Sequence, residues 1–169
     1  MPTTRLQAFA PVARAGAHTL ILGSMPGAAS LAATEYYAHP RNRFWPIVGE
    51  LLGFDARAPY AERIAALAAH GYALWDVLGA CRRSGSLDTA IETDSMELND
   101  FPRFFLDHAA VNRVFFNGSF AATLFHRRVV PMLGEHAARL QLARLPSTSP
   151  ANAGMSAEAK RAAWAANLR

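Results

Sequence analysis

The first sustained apolar run in the chain is His18–Gly23 (HTLILG), closed by a glycine. A run this short with no polar alternation predicts a strand buried on both faces. Pro40–Gly53 follows another period. Phe44, Ile47, Val48, Leu51 and Leu52 recur at i, i+3, i+4, i+7 and i+8, which forms one face of an amphipathic helix. Pro40 fits the first helical position and Gly53 the C-terminal cap. Pro59–His70 predicts a second helix closed by Gly71, and Tyr72–Val77 a second strand. Ser84–Phe101 is polar and irregular and predicts a loop with one short helix. Asn99 or Asp100 can cap a helix running to about His108. Val111–Phe116 predicts a third strand, Ser119–Val130 a helix, and Leu140–Leu145 a fourth strand ended by Pro146. Ser156–Leu168 predicts a closing helix, capped by Ser156 and carrying Glu158 in its first turn.

Strands that alternate with helices predict an α/β fold: a three-layer α/β/α sandwich around a central, mainly four-stranded parallel sheet. Ligands of such sheets sit beyond the carboxyl ends of the strands. Here those ends are Gly23–Gly27, Trp75–Asp76, Asn117–Gly118 and Pro146–Asn152, where the unusual polar residues cluster.

Length and composition narrow this further. With 169 residues, about half of them hydrophobic, residues 1–169 are expected to form a single domain with a real core. No apolar run reaches the roughly 18 residues of a membrane span, and Met1–Gly16 has no apolar stretch of the signal-peptide kind. A cytoplasmic, monomeric protein with no membrane partner is therefore expected. The one cysteine, Cys81, excludes an internal disulfide or a four-cysteine cluster, and reads as a packing residue. His18, His70, His108, His126 and His136 lack metal-ligand spacing, so no metal or other cofactor is expected. Residues 1–102 hold eight arginines against ten acids, net −2; residues 103–169 hold nine basic residues against three acids, net +6. A basic C-terminal part fits a polyanionic partner, although composition bias would produce the same asymmetry. The one lysine, Lys160, lies far in sequence from every strand end.

Four segments carry candidate chemistry. Gly23-Ser24-Met25-Pro26-Gly27 follows a strand directly, and its two glycines allow a tight turn with close backbone approach to a ligand; an ordinary strand-to-helix turn is the plainer alternative. Tyr36–Trp45 (YYAHPRNRFW) sets two tyrosines before a helix start bearing His39, Arg41, Asn42 and Arg43. Aromatic faces stack on bases and helix N-termini hold phosphates. Phe44 and Trp45 read as core. Asn117-Gly118 ends a strand with an amide that both donates and accepts, as the edge of a flipped base requires, or as a helix cap would. Leu145–Asn152 (LPSTSPAN) offers hydroxyls and backbone N–H groups of the kind that hold phosphates, or is a surface loop. Asp76 and Asp88, the latter in Gly85-Ser86-Leu87-Asp88, can brace the neighbourhood.

In this order the segments resemble the uracil-DNA glycosylase superfamily over nearly the whole chain. HPRNRFW is similar to the His-Pro-x-Asn-Arg-Phe-Trp of mismatch-specific uracil glycosylases. GSMPG, YYAHPRNRFW, ALWDVL, GSLD, FNG and LPSTSPAN together resemble the hypoxanthine-DNA (deoxyinosine) glycosylase branch. The resemblance implies a monofunctional hydrolase that removes deaminated bases, hypoxanthine foremost and uracil as an alternative, in base excision repair of double-stranded DNA, with single-stranded DNA as a further candidate substrate. The chain departs from the mismatch-specific pattern at Met25, where those enzymes carry a catalytic Asn and the classical uracil enzymes an Asp. The hypoxanthine branch also lacks that residue, and the resemblance moves the catalytic role to Asn42, with His39 either donating to the leaving base or bracing its turn. By the same resemblance Ser24, Met25, Tyr37 and Asn117 hold the base, Tyr37 by stacking and Asn117 by reading its edge. Pro26, Gly27, Arg41, Ser147, Thr148, Ser149 and Asn152 contact DNA. Met25 leaves open a different class, a nucleic-acid-binding module that has lost catalysis.

Overall fold

A computed structural model describes residues 3–168. Its elements are β1 (Arg5–Gln7), β2 (Thr19–Gly23), α1 (Ala28–Ala33), α2 (Phe44–Leu52), α3 (Tyr60–Ala69), β3 (Tyr72–Asp76), β4 (Leu78–Arg82), β5 (Glu97–Leu98), α4 (Phe101–Asp107), β6 (Arg113–Asn117), α5 (Ser119–Leu124), α6 (Val130–Leu133), β7 (Gln141–Leu145) and α7 (Ala157–Ala165). The four apolar runs pair in parallel in the order β3-β2-β6-β7. Side chains alternate across this sheet because the strand period is two. Leu20, Leu22, Ala73, Trp75, Val114 and Phe116 face one core, with the phenylalanines of α4 and the apolar side of α5. Ile21, Tyr72, Leu74, Phe115 and Leu145 face the other, with α2, Leu67 of α3 and Trp164 of α7. The result is the expected α/β/α sandwich. Each large side chain buried in either core contributes about 1.5–3 kcal/mol.

Register places the strand ends level. Gly23 pairs with Asp76, Leu22 with Phe116, and Asn117 with Leu145. Gly23, Asp76, Asn117 and Leu145 therefore form a row along the carboxyl edge of the sheet.

Several elements differ from the sequence expectation. Helix α2 starts at Phe44 instead of Pro40. The Asn42 side-chain oxygen accepts from Phe44 N at 2.9 Å, a local bond that competes with the helical ladder and holds residues 39–43 as a turn. The second strand ends at Asp76, and the chain passes through Val77 into an antiparallel sheet, β1-β4-β5. That sheet and α1 were not expected. The stretch read as a loop with one short helix holds two 3-10 turns, Asp88–Ala90 and Thr93–Ser95, besides β5. The two sheets are joined at the site edge, where Val77 N donates to Gly23 O (2.9 Å) and Leu78 N to Ser24 O (3.0 Å). The helix expected over Ser119–Val130 passes through a π-helical turn at Phe125–Val129 before α6. Asp100 caps α4 through Arg103 N, and Ser156 caps α7 through Ala159 N, as their residue types require.

Candidate active site

Beyond the row of strand ends lies a cavity of about 190 Å³. That is below the 300–1,000 Å³ common for drug-sized ligands and suits a single heterocycle. The segments 23–30, 36–42, 86–88 and 147–151 enclose it, with Asp76 and Asn117 from the strand ends.

Gly23 sets the approach of the walls. A Cβ there would sit 2.5 Å from Asp76 Oδ1 and 3.3 Å from the Tyr37 hydroxyl oxygen, so no other residue fits without displacing both. The turn after it is tied to the 83–88 loop by three hydrogen bonds. Ser24 Oγ donates to Asp88 Oδ1 (2.6 Å), an Arg83 guanidinium nitrogen to Pro26 O (2.7 Å), and Ala28 N to Ser86 Oγ (2.9 Å). Met25 is buried, and its neighbour Gly27 borders the cavity as the N-cap of α1.

The second segment holds Tyr37 in a conformation bulky residues avoid, φ +56°. Its neighbours are fixed on both sides. Trp45 Nε1 donates to Tyr36 O (2.8 Å) and Ala38 N to Ser30 Oγ (3.1 Å). Strain of order 1 kcal/mol or more is thereby held where it places an aromatic ring against the cavity. One face of that ring stacks on Phe44 at 4.0 Å. The Tyr37 hydroxyl is buried without a well-formed hydrogen bond. Burial and the Asp76 charge push its pKa up, against a weak contact with the Asn117 amide that pulls it down.

His39 Nδ1 accepts from Arg41 N at 3.0 Å. A backbone N–H can only donate, so the proton of the neutral ring sits on Nε2, and that edge remains free to donate. The two roles expected of His39 are therefore compatible: Nδ1 braces the turn while Nε2–H is available. Asn42 Oδ1 is likewise assigned by its bond from Phe44 N, which leaves one lone pair and the whole Nδ2 group uncommitted.

Asp76 is 4% exposed, and its Oδ2 has no hydrogen-bond partner. Burial, and then the charge of Asp88, raise its pKa to about 7, while Arg83 pulls the other way. Asp88 is raised as well, chiefly by burial and against its bond from Ser24. A buried carboxyl raised in this way by desolvation and a neighbouring charge, in a cleft, is a candidate functional position.

Asn117 is bound at both ends of its amide. Nδ2 donates to Thr148 Oγ1 and Oδ1 accepts from Thr148 N, each at 2.9 Å. One donor hydrogen and one lone pair remain. Thr148 is fully buried, so its side chain orders the loop and does not reach solvent. The Ser147 and Ser149 hydroxyls accept from Ser149 N and Ala151 N, both at 3.2 Å, and keep their own protons to donate. Arg43 N donates to Thr148 O (3.0 Å) and Trp164 Nε1 to Pro146 O (2.9 Å). Lys160, 11 residues beyond Ser149 on α7, is buried under this loop, with Nζ 3.4 Å from Ser149 O; burial and Arg43 lower its pKa.

The structure thus brings Ser24, Met25, Pro26, Gly27, Tyr37, His39, Asn42, Asn117, Ser147, Thr148 and Ser149 around one cavity. Arg41 is exposed outside it, and Asn152 lies in an adjoining groove, with its amide donating to Ser147 O at 3.1 Å. Arg83, Ser86 and Ser30 were not singled out from the sequence, because their partners lie 57, 58 and 8 residues away and no local pattern announces them. Among the described residues, no three His, Cys, Asp or Glu side chains converge as a metal-ligand set.

The family model of the uracil DNA glycosylase superfamily matches residues 11–168. The chain belongs to that superfamily. Within it, the chain is similar to a protein named hypoxanthine DNA glycosylase from Methanosarcina barkeri, 41% identical over 96 residues, which make up 56% of this chain and 60% of that one. It is 39% identical over 83 residues to a protein of the same name from Methanosarcina acetivorans, covering 48% of this chain and 51% of the other. The chain thus spans only half to three-fifths of these named superfamily relatives. A solution NMR structure from Methanosarcina acetivorans, of a protein named as a candidate uracil DNA glycosylase, superposes with a TM-score of 0.81 at 29% identity and covers 98% of both chains.

Proposed function

We propose that the chain is a monofunctional DNA glycosylase that removes deaminated bases, with hypoxanthine as the principal substrate and uracil as a second. The observation that carries this reading is a base-sized cavity at the carboxyl edge of the sheet, walled by Tyr37, His39, Asn42, Asp76 and Asn117. The two relatives named hypoxanthine DNA glycosylase support the choice of base.

In the reaction a base leaves the stack, at a cost of a few kcal/mol that mismatched bases reduce, and enters the cavity. The Tyr37 ring bounds it, and the remaining lone pair of Asn117 Oδ1 is offered to its edge. As the bond between C1′ and the base nitrogen breaks, the electron pair goes to the base. His39 Nε2–H donates to it and limits the developing charge. Water held by the remaining lone pair of Asn42 Oδ1 attacks C1′; this is a positioning effect, since an amide is no useful base. The water oxygen bonds to C1′ and its surplus proton is lost to solvent, the departing base takes up a proton from solvent, and the products are free base and an abasic site. The Ser147 and Ser149 hydroxyls donate to the flanking phosphates. No step needs a bound metal or redox cofactor.

The test is incubation with labelled duplexes carrying one deoxyinosine or one deoxyuridine, followed by alkali to reveal abasic sites. Cleavage at deoxyinosine is expected to exceed cleavage at deoxyuridine. The reverse order would make the chain a uracil enzyme. Salt-dependent binding with no cleavage at either would make it a binding module without catalysis.

A further inference from the structure

Lys160, the one lysine of the chain, is 5% exposed, and nothing balances its charge. Among the described residues, no carboxylate stands within ion-pair distance of it. Arg161, its neighbour on α7, is paired instead with Glu50 at 2.8 Å. The charge that does reach Lys160 is another cation, Arg43; burial first, and then Arg43, hold its pKa below the usual lysine value. Lys160 also lies near the amino end of α7, where the helix dipole disfavours a cation. A buried charge without a partner destabilises a fold, and a cationic neighbour and the helix end both add to that cost.

The loop above Lys160 does not need the ammonium. Each carbonyl from Pro146 to Ser149 has another donor. Pro146 O accepts from Trp164 Nε1 (2.9 Å), Ser147 O from Asn152 Nδ2 (3.1 Å), Thr148 O from Arg43 N (3.0 Å) and Ser149 O from Asn152 N (3.0 Å). The contact of Lys160 Nζ with Ser149 O is a second and longer one, at 3.4 Å. The ammonium therefore adds little to the order of the loop, but it sets the loop's potential. Ser147 and Ser149 border the cavity, and their hydroxyls keep protons to donate. A charge lying behind them and shielded from water is screened less than a surface lysine would be. We infer that Lys160 holds the 147–149 loop at positive potential for a DNA backbone phosphate, so that the buried ammonium meets its counter-ion only when DNA is bound. This rests on the glycosylase reading above.

The experiment melts the wild type and Lys160→Met without DNA, and titrates both with a duplex carrying a tetrahydrofuran abasic analogue at several salt concentrations. The methionine keeps most of the side chain's length and removes its charge. Lys160→Met should melt at or above the wild-type temperature, because replacing a buried ion by an apolar chain of similar volume is neutral or stabilising. Its affinity at low salt should nevertheless fall on the order of tenfold, and its slope of log affinity against log salt should shrink by up to about 0.9, the share of one phosphate. Lys160→Arg keeps the charge and should keep the wild-type slope. A lower melting temperature in Lys160→Met would make the residue a structural tie. An unchanged slope in that variant, or the methionine slope in a Lys160→Arg protein that melts like the wild type, would detach the charge from DNA binding. Each of these overturns the inference and leaves the glycosylase reading intact. A wild type that neither binds the duplex nor cleaves deoxyinosine or deoxyuridine would overturn that reading, and the inference with it.

Discussion

Asn117 and Thr148 clasp each other through two hydrogen bonds of 2.9 Å, so the end of β6 holds the 147–152 loop in place. Either partner alone would leave buried polar atoms unsatisfied, at about 1–3 kcal/mol. Asn117→Ala should therefore lower the melting temperature by several degrees and weaken DNA binding, because the loop that carries Ser147 and Ser149 is released. Thr148→Val removes only the hydroxyl and should cost less. Calorimetry and a binding titration on both variants check this; an Asn117→Ala variant that melts like the wild type would remove the clasp from the account.

Asn42 serves two purposes that substitution can separate. Asn42→Ala deletes both the bond to Phe44 N, about 1 kcal/mol of the kind caps supply, and the water-holding oxygen. Cleavage should fall on the order of a hundredfold while binding to abasic-analogue DNA persists. Asn42→Asp keeps an acceptor for Phe44 N and should restore the stability. Single-turnover rates beside thermal melts distinguish the two effects.

Asp76 should make stability depend on pH. Its folded pKa of about 7 lies above the unfolded value near 3.9, so the native state holds a proton that the unfolded chain has released. The contribution of Asp76 to stability is then greatest below about pH 4, declines between there and about pH 7 by up to roughly 1.4 kcal/mol per unit, and levels off above. Asp76→Asn does not titrate, so its melting temperature should gain on the wild type between pH 5 and pH 8. Parallel melting curves across that range would mean the carboxyl is not held near neutrality.

The contact across Gly23 predicts a severe alanine phenotype. The new methyl would lie 2.5 Å from Asp76 Oδ1, and overpacking of this kind costs about 1–3 kcal/mol. Gly23→Ala should fold with a lowered melting temperature and lose cleavage by more than stability explains, since both Asp76 and Tyr37 must shift. Activity equal to wild type at a temperature where both are folded would show that the walls yield freely.

The main sheet was legible in the sequence because β2, β3 and β6 are apolar runs while β7 (QLARL) is half exposed, and all four end in or just before Gly, Asp, Asn or Pro. The site was legible to the extent that its residues sit on those ends. What escaped was set by tertiary contact. β4 begins two residues after β3, with no turn signal between them, because Val77 alone carries the chain into the second sheet. α1 and β1 are only six and three residues long. Pro40 suggested a helix start that the Asn42 side chain defers to Phe44. Ser24 and Asp88 meet across 64 residues. Lys160 reaches the site loop from a helix whose sequence gives no sign of it.

The bonds from Arg83, Ser86 and Asp88 to the turn after Gly23 separate the working temperature of the molecule from its melting temperature. This wall of the cavity continues the small antiparallel sheet, whose strands are only three, five and two residues long, so it is the part expected to open at lower free energy. On heating, the cavity should come apart while both cores persist, and incision should be lost several degrees before the cooperative transition. Heat tolerance of the activity would then be gained by strengthening the 83–88 loop, and improving the packing of the main sheet would leave it largely unchanged.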